Sequence, residues 1–229
     1  MKKILFCLFM FCTITGVMAQ KKKTIGSSNV GSESDPEVKV LLEKARKKYE
    51  SLKSMEADFT LTIELAEHKP ELQKGTMYQQ GDKFRVKLQS QEVICDGKST
   101  YVFLKKNNEI QINDADTNND ANSLSPKALL KLYQQGNFKY YVSGKSKEAG
   151  KDVTQVEVVP NDKNVEYSKL RVSVDKDNQI VSLKSFNRDG SKYTLVLTNL
   201  KANKGVAAKN FVFDKAQFPN AHIEDLRTN

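Results

Sequence analysis

Residues 55–65 read MEADFTLTIEL, and this stretch decides the fold because apolar and polar side chains alternate along it. The odd positions from Met55 to Leu65 are all apolar, whereas the even positions carry only Glu, Asp and Thr. Side chains of a β-strand point alternately to its two faces, so a period of two predicts a strand with one apolar face. The stretch therefore predicts a sheet that is covered on one side and solvated on the other.

Further stretches of this kind follow along the chain and are separated by turn residues. The connections Gly81-Asp82, Asp96-Gly97-Lys98 and Asn107-Asn108 are short and typical of hairpins, so neighbouring strands should pair antiparallel. The additional predicted strands span residues 76–80, 84–89, 92–95, 100–104, 109–113, 138–142, 153–159, 170–174, 180–186 and 193–200.

Two helices are predicted beside these strands. Between Pro36 and Ser54 apolar residues recur at spacings of three and four, and Ser34-Asp35-Pro36-Glu37 has the residues of a helix start. A second helix is predicted from Ser123 or Ser125 to Gln135. The fold class is therefore α+β, mainly β: a strongly curved antiparallel sheet with helices covering its concave apolar face. Both a partly filled cavity and a fully packed core are compatible with this pattern.

The amino terminus has the features of a cleavable signal peptide. Lys2 and Lys3 precede an apolar run, and Ala19 ends a small-residue stretch, so the predicted organisation is a signal peptide at 1–19. Residues 20–35 are too polar to fold alone and form a predicted flexible segment, which leaves 36–229 as one domain. An uncleaved anchor is the alternative, although the apolar run is shorter than the roughly 20 residues that a span needs.

Cysteine and charge content narrow the possible functions. Removal of residues 1–19 takes Cys7 and Cys12 away, so Cys95 would remain without an intramolecular disulfide partner. The whole chain has a formal net charge of +9, which falls to +7 without Lys2 and Lys3. The basic residues are dispersed among Asp and Glu, which argues against nucleic-acid binding.

No catalytic or metal-binding constellation stands out. Beyond residue 19 the histidines are His68 and His222, each in a polar segment and expected to be exposed. Neither has a nucleophile or a second base nearby in the pattern, and one Cys with two distant His lacks zinc-site spacing. We therefore expect no catalytic residues, no metal and no cofactor, and a binding protein rather than an enzyme.

Several local strings resemble the LolA family of periplasmic outer-membrane lipoprotein carriers. The first helix is followed by a strand that opens with Met55-Glu-Ala-Asp-Phe59. Two pairs of strings come next: Gly75-Thr-Met77 leads to Lys83-Phe84-Arg85-Val86, and Val93-Ile-Cys95-Asp96-Gly97-Lys98 leads to Tyr101-Val-Phe103. Leu124-Ser-Pro126-Lys-Ala-Leu129-Leu130 and Ala208-Lys-Asn-Phe211-Val-Phe213 follow in the family's order. The resemblance spans about Glu37 to Phe218.

The resemblance implies an incomplete β-barrel whose apolar cavity takes the acyl chains of lipoproteins. It implies a periplasmic, monomeric carrier with acylated lipoproteins as cargo, an inner-membrane ABC-type lipoprotein release transporter as donor, and an outer-membrane acceptor. The helix with Leu129, Leu130 and Leu132 would belong to a lid. The residues expected to bind cargo are apolar: Phe59, Leu61, Ile63, Met77, Phe84, Val86, Leu88, Val93, Tyr101 and Phe103.

Two departures from the family pattern keep alternatives open. Val86 replaces a tryptophan or similar aromatic residue, and the loop Gln80-Gly81-Asp82 lacks the arginine associated with lid control. The alternative function is a carrier or sensor of another amphiphile, a glycolipid or phospholipid, on the same fold. An adhesion or regulatory domain with a packed core is a third possibility.

Overall fold

The computed structural model describes residues 35–115 and 138–227. Helix α1 spans Pro36–Glu50, and the Asp35 side chain caps it by accepting a hydrogen bond from the Glu37 backbone N–H at 2.9 Å. The helix ends before the predicted Ser54, because residues 51–54 turn the chain into the first strand. The predicted second helix, with the lid residues Leu129, Leu130 and Leu132, lies outside the described residues.

Most strands are longer than their sequence patterns predicted, although the third ends at Lys87 rather than Gln89. The second strand starts at Glu71 rather than Thr76, and the seventh extends to Glu148 rather than Val142. The strands are β1 Met55–Glu64, β2 Glu71–Gln80, β3 Lys83–Lys87, β4 Gln91–Cys95, β5 Ser99–Leu104, β6 Glu109–Asp114, β7 Phe138–Glu148, β8 Lys151–Pro160, β9 Tyr167–Asp175, β10 Ile180–Asn187, β11 Lys192–Ala202 and β12 His222–Asp225.

These strands form one 12-stranded sheet in the order β12-β6-β5-β4-β3-β2-β1-β11-β10-β9-β8-β7. Two antiparallel meanders, β1–β6 and β7–β11, are joined where β1 pairs with β11. The sequence pattern did not predict the short strand β12 near the carboxyl end of the chain. It pairs in parallel with β6. The predicted fold class, mainly β with an incompletely closed barrel, is confirmed because the strands form a curved sheet that does not close.

Helix α1 packs on one face of the sheet, which is called the α1 face below. Its buried residues Val38, Leu42, Ala45 and Tyr49 join one apolar core with side chains of β1, β2 and β8–β11. The Tyr49 hydroxyl accepts a hydrogen bond from the Ile180 backbone N–H at 3.2 Å, which ties the end of the helix to β10. Burial raises the pKa of this phenol, so it stays protonated.

The opposite face, called the outer face, differs between the two meanders. Over β8 and β9 it is polar, and the Glu157 carboxylate accepts hydrogen bonds from Lys169 Nζ at 2.8 Å and Arg171 Nη2 at 2.6 Å. Over β3–β6 the outer face carries Ile94, Ile110 and other buried apolar residues. Within the described ranges, no helix is long and apolar enough to cross a membrane.

Candidate functional site

The α1 face brings together all of the predicted cargo-binding residues except Tyr101 and Phe103. Strand register shows this directly, because residues opposite each other on paired strands point to the same face. Met77 of β2 lies opposite both Ala57 and Val86, and Val86 lies opposite Val93. The residues on this face are Phe59, Leu61, Ile63, Met77, Phe84, Val86, Leu88 and Val93.

Burial divides this apolar set into two groups. Phe59, Leu61, Met77, Leu88 and Val93 are buried and form the floor of the face. The other members, Ile63, Phe84 and Val86, are half-buried. Apolar area that is still exposed gains free energy when a ligand covers it, so the half-buried group is the part of this face that is available to an apolar ligand.

A close approach between β1 and β2 shapes the floor. Phe59 lies opposite Gly75. A Cβ atom at residue 75 would lie 2.4 Å from Phe59 Cζ and 2.5 Å from the Lys87 carbonyl oxygen. Glycine inside a strand often marks such an approach, because it has no side chain to collide with a neighbour. Gly75 therefore lets the Phe59 ring approach the backbone of β2 closely.

Tyr101 and Phe103 lie on the outer face, so the structure separates them from the other predicted cargo-binding residues. On β5 it is Val102 that lies opposite Val93, which turns its neighbours Tyr101 and Phe103 away from α1. Both rings are covered by the segment after β11. Phe213 stacks on Tyr101 with ring centroids 4.4 Å apart, and Phe218 packs against Phe103 at 4.7 Å.

Three residues on the α1 face were missed in the predicted site. Val102 and Leu104 extend the apolar surface onto β5, while Gln91 is a buried polar residue beside them. The register of the hairpin at Asp96-Gly97-Lys98 could have identified Val102, because counting back across the turn pairs it with Val93. The predicted lid residues Leu129, Leu130 and Leu132 lie outside the described residues, so their role stays a prediction.

A small recess opens where the end of α1 meets the β2–β3 hairpin. Its cavity volume is about 10 Å³, and its lining includes Tyr49, Leu52, Met55 and Gln79. Ligand pockets usually enclose roughly 300–1,000 Å³. This recess alone is therefore smaller than the space that a drug-sized ligand occupies.

The titratable groups near the face show no catalytic arrangement in the part of the chain that the structure describes. Cys95 is buried on the α1 face beside Phe84, and its burial raises the thiol pKa, which keeps the thiol protonated and weakly nucleophilic. His68 and His222 are both exposed, as the sequence predicted. Among the described residues, no three Asp, Glu, His or Cys side chains come together as metal ligands.

Comparison with solved structures finds a similar fold in a distant protein and weaker matches to two others. An uncharacterized conserved protein from Thermus thermophilus matches with a TM-score of 0.54 and 12% identity, covering 82% of this chain and 99% of that one. A LolA superfamily protein from Nitrosomonas europaea matches with a TM-score of 0.40 and 13% identity, over 77% of this chain and 97% of that one. The Mycobacterium tuberculosis lipoprotein LppX matches with a TM-score of 0.47 and 12% identity, over 76% of this chain and 100% of that one.

Sequence comparison gives the family directly. An uncharacterized protein of Methanocaldococcus jannaschii is 25% identical over 175 residues, which is 76% of this chain. This chain spans about half the length of that curated relative, since the match covers 50% of it. The family model described as outer membrane lipoprotein carrier protein LolA matches residues 50–214, from the end of α1 through the segment that covers Tyr101. The chain thus belongs to the LolA family.

Proposed function

We propose that this protein is an extracytoplasmic carrier that binds the acyl chains of lipoproteins on its α1 face. The observation that carries the proposal is the apolar strip from β1 to β4, in which the buried floor continues into half-buried Ile63, Phe84 and Val86. Membership of the LolA family supports the same function. By this proposal the protein has no catalytic role and acts by binding and releasing cargo.

The energetics of the apolar strip suit a reversible carrier. Burial of a methylene group contributes about 0.8 kcal/mol, so covering ten methylenes would contribute about 8 kcal/mol before the cost of ordering the chain. An acyl chain can therefore be held firmly without a covalent bond. Release then needs a competing apolar site, which an acceptor protein or a membrane would supply.

The direction of transfer is the second part of the proposal. Residues 1–19 would direct export, and 20–35 would tether the domain 36–229 at the start of α1. An inner-membrane ABC-type transporter would load the acylated lipoprotein, and an outer-membrane acceptor would take it from the carrier. The segment with Leu129, Leu130 and Leu132 would cover the bound chains as a lid.

A release assay tests the proposed function. Inner-membrane vesicles that contain the transporter and a radiolabelled lipoprotein are incubated with the purified protein, and the soluble lipoprotein is measured. Val86→Ser should lower release several-fold because it adds a hydroxyl to the half-buried apolar strip. Leu72→Ser is the matched control, because Leu72 lies opposite Thr62 on the outer face and is 57% exposed.

Intact mass spectrometry of the protein purified from its native envelope identifies the cargo class. An acylated-protein adduct supports the lipoprotein carrier, whereas a small lipid adduct would indicate a carrier of another amphiphile. If the wild-type protein neither releases lipoprotein nor takes up an apolar dye, the proposed function is wrong. A packed interaction domain would then be the better description.

A further inference from the structure

Four basic side chains lie around the ring of Phe186 on the outer face. Lys169 Nζ is 4.7 Å from the ring centroid, the Arg171 guanidinium carbon 5.4 Å and Lys184 Nζ 5.6 Å. Lys192 lies directly opposite Phe186 on β11, as Lys169 does on β9. Neighbouring strands are about 4.8 Å apart, so the backbones of these two lysines are roughly 10 Å from each other. The five residues are called the Phe186 cluster below.

The Arg171 guanidinium has more donors than its surroundings have acceptors. Lys169 Nζ and Arg171 Nη2 donate to the same oxygen, Glu157 Oε1, at 2.8 and 2.6 Å. Arg171 Nε is a buried N–H group without an acceptor among residues 35–115 and 138–227. Buried donors almost always have partners, because an unsatisfied one costs free energy. A movement of the side chain toward a further anionic oxygen would supply the missing acceptor.

The other two cations of the cluster share one carboxylate. Lys184 Nζ donates to Glu64 Oε2 at 2.9 Å. This hydrogen bond and the charges of Lys184 and Lys192 lower the pKa of Glu64, so both lysines act on it. Together with Glu157, two carboxylates face four cations, which leaves an excess of two positive charges on this part of the outer face.

The turns beside the cluster carry charges of both signs. They hold the acids Asp162, Glu166 and Asp189 and the bases Lys163 and Arg188. Burial, followed by the charges of Asp189 and Glu166, raises the pKa of Tyr193, whose side chain lies on the α1 face opposite Ile63. Coulomb interactions weaken with distance, so these two acids lie toward the α1 face. The positive excess on the outer face therefore remains.

The donors of the cluster suit phosphate oxygens. Guanidinium and ammonium groups form strong hydrogen bonds with phosphate because donor and acceptor are both charged. Protein surfaces that lie on membranes combine such basic side chains with Phe, Trp or Leu. Cations spread over about 10 Å match the many phosphates of a lipid surface better than one small anion, and a lipid surface needs no complementary shape.

We infer that the Phe186 cluster docks the protein on a membrane surface that carries anionic phospholipids, whose phosphate groups accept hydrogen bonds from the cluster. The outer face then lies on the head groups and the α1 face points away from them, so the proposed cargo site stays uncovered. This membrane contact goes beyond the carrier function and does not depend on it, because the cluster and the apolar strip share no residue.

Vesicle sedimentation tests the docking surface. The purified protein is mixed with vesicles of phosphatidylcholine alone or of phosphatidylcholine with phosphatidylglycerol, and the vesicle-bound fraction is measured after centrifugation. Wild-type protein should bind only the vesicles that contain phosphatidylglycerol. A rise in salt from about 0.1 M to about 1 M shortens the Debye length from about 10 Å to about 3 Å and should release the protein.

Variants locate the surface that binds. Lys192→Gln removes an exposed charge and should weaken vesicle binding about fivefold, as expected for one lysine near an anionic surface. Lys169→Gln/Lys192→Gln should weaken it about 25-fold. Lys39→Gln/Lys44→Gln is the matched control, because it removes the same charge from exposed positions of α1, on the other side of the sheet. This control should bind like wild type.

Each outcome decides the inference. It is overturned if wild-type protein does not bind phosphatidylglycerol vesicles at low salt, or if binding is unchanged in both Lys192 variants. Equal weakening by the two double variants would also overturn it, because net charge alone would then explain binding. Thermal unfolding checks that the variants are folded, and weakening confined to folded cluster variants supports the inference. Uptake of an apolar dye by the same variants reports separately on the carrier function.

Discussion

Replacement of Gly75 by alanine should destabilise the protein markedly. The new Cβ would lie 2.4 Å from Phe59 Cζ and 2.5 Å from the Lys87 carbonyl oxygen, far below the roughly 3.5–4.0 Å of an ordinary carbon contact. Overpacking of this kind costs about 1–3 kcal/mol, and one of the two obstacles is backbone, so we expect the upper part of that range. For a domain of this size, each kcal/mol lowers Tm by about 2–4 °C.

Urea unfolding followed by circular dichroism measures this cost, and a double-mutant cycle assigns it. Phe59→Leu removes the ring that approaches Gly75. Gly75→Ala should therefore lower the free energy of unfolding by at least about 1 kcal/mol less in the Phe59→Leu protein than in wild type. The contact with Lys87 remains and should leave a residual cost. An unfolding free energy within about 0.5 kcal/mol of wild type would refute the close approach. An equal cost in both backgrounds would show that Phe59 is not the obstacle.

Two further predictions concern residues away from the α1 face. Hydrogen bonds from Asn199 and Thr76 lower the pKa of Asp58, so its contribution to stability is present above the unfolded-state pKa and lost as pH falls through the folded-state pKa. Asp58→Asn should therefore lower the free energy of unfolding by about 1 kcal/mol at neutral pH, after allowance for solvent screening, and by less near pH 3. A decrease that does not depend on pH would contradict this prediction. Phe213→Ala should cost about 2 kcal/mol in urea unfolding, because it removes a stacked ring from the outer face. The exposed neighbour Val212 is the control, since Val212→Ala should change stability by less than about 0.5 kcal/mol, and equal costs would contradict a covering role for Phe213.

The first half of the sheet was predictable because its strands are apolar on one face. In β1 the buried residues Met55, Ala57, Phe59 and Leu61 alternate with half-buried polar ones, as a period of two requires. The turn residues between β2 and β6 then set the antiparallel order. Local pattern was sufficient here because each strand pairs with its neighbour in sequence.

β5 shows why the site was only partly predictable. Its residues 101–104 are Tyr, Val, Phe and Leu, so alternation cannot choose a face. Both faces are apolar because Val102 packs on the α1 side while Phe213 and Phe218 cover the rings on the outer side. Phe213 and Phe218 lie more than 100 residues later in the chain, so the local pattern of β5 could not predict that they pack on it.

The strand order also sets the sequence of events in folding. Each meander can form from hairpins that are local in sequence, whereas the β1–β11 pairing brings residues 55–64 to residues 192–202. Loop closure over such a distance is slow, so this junction should form late and give the domain a high contact order. Until then β1, the strand that carries Phe59 and Leu61, has an open edge on which another chain could add. The edge of β6 is likewise unpaired until β12 has been synthesised, so a newly synthesised chain would need protection from aggregation at both edges.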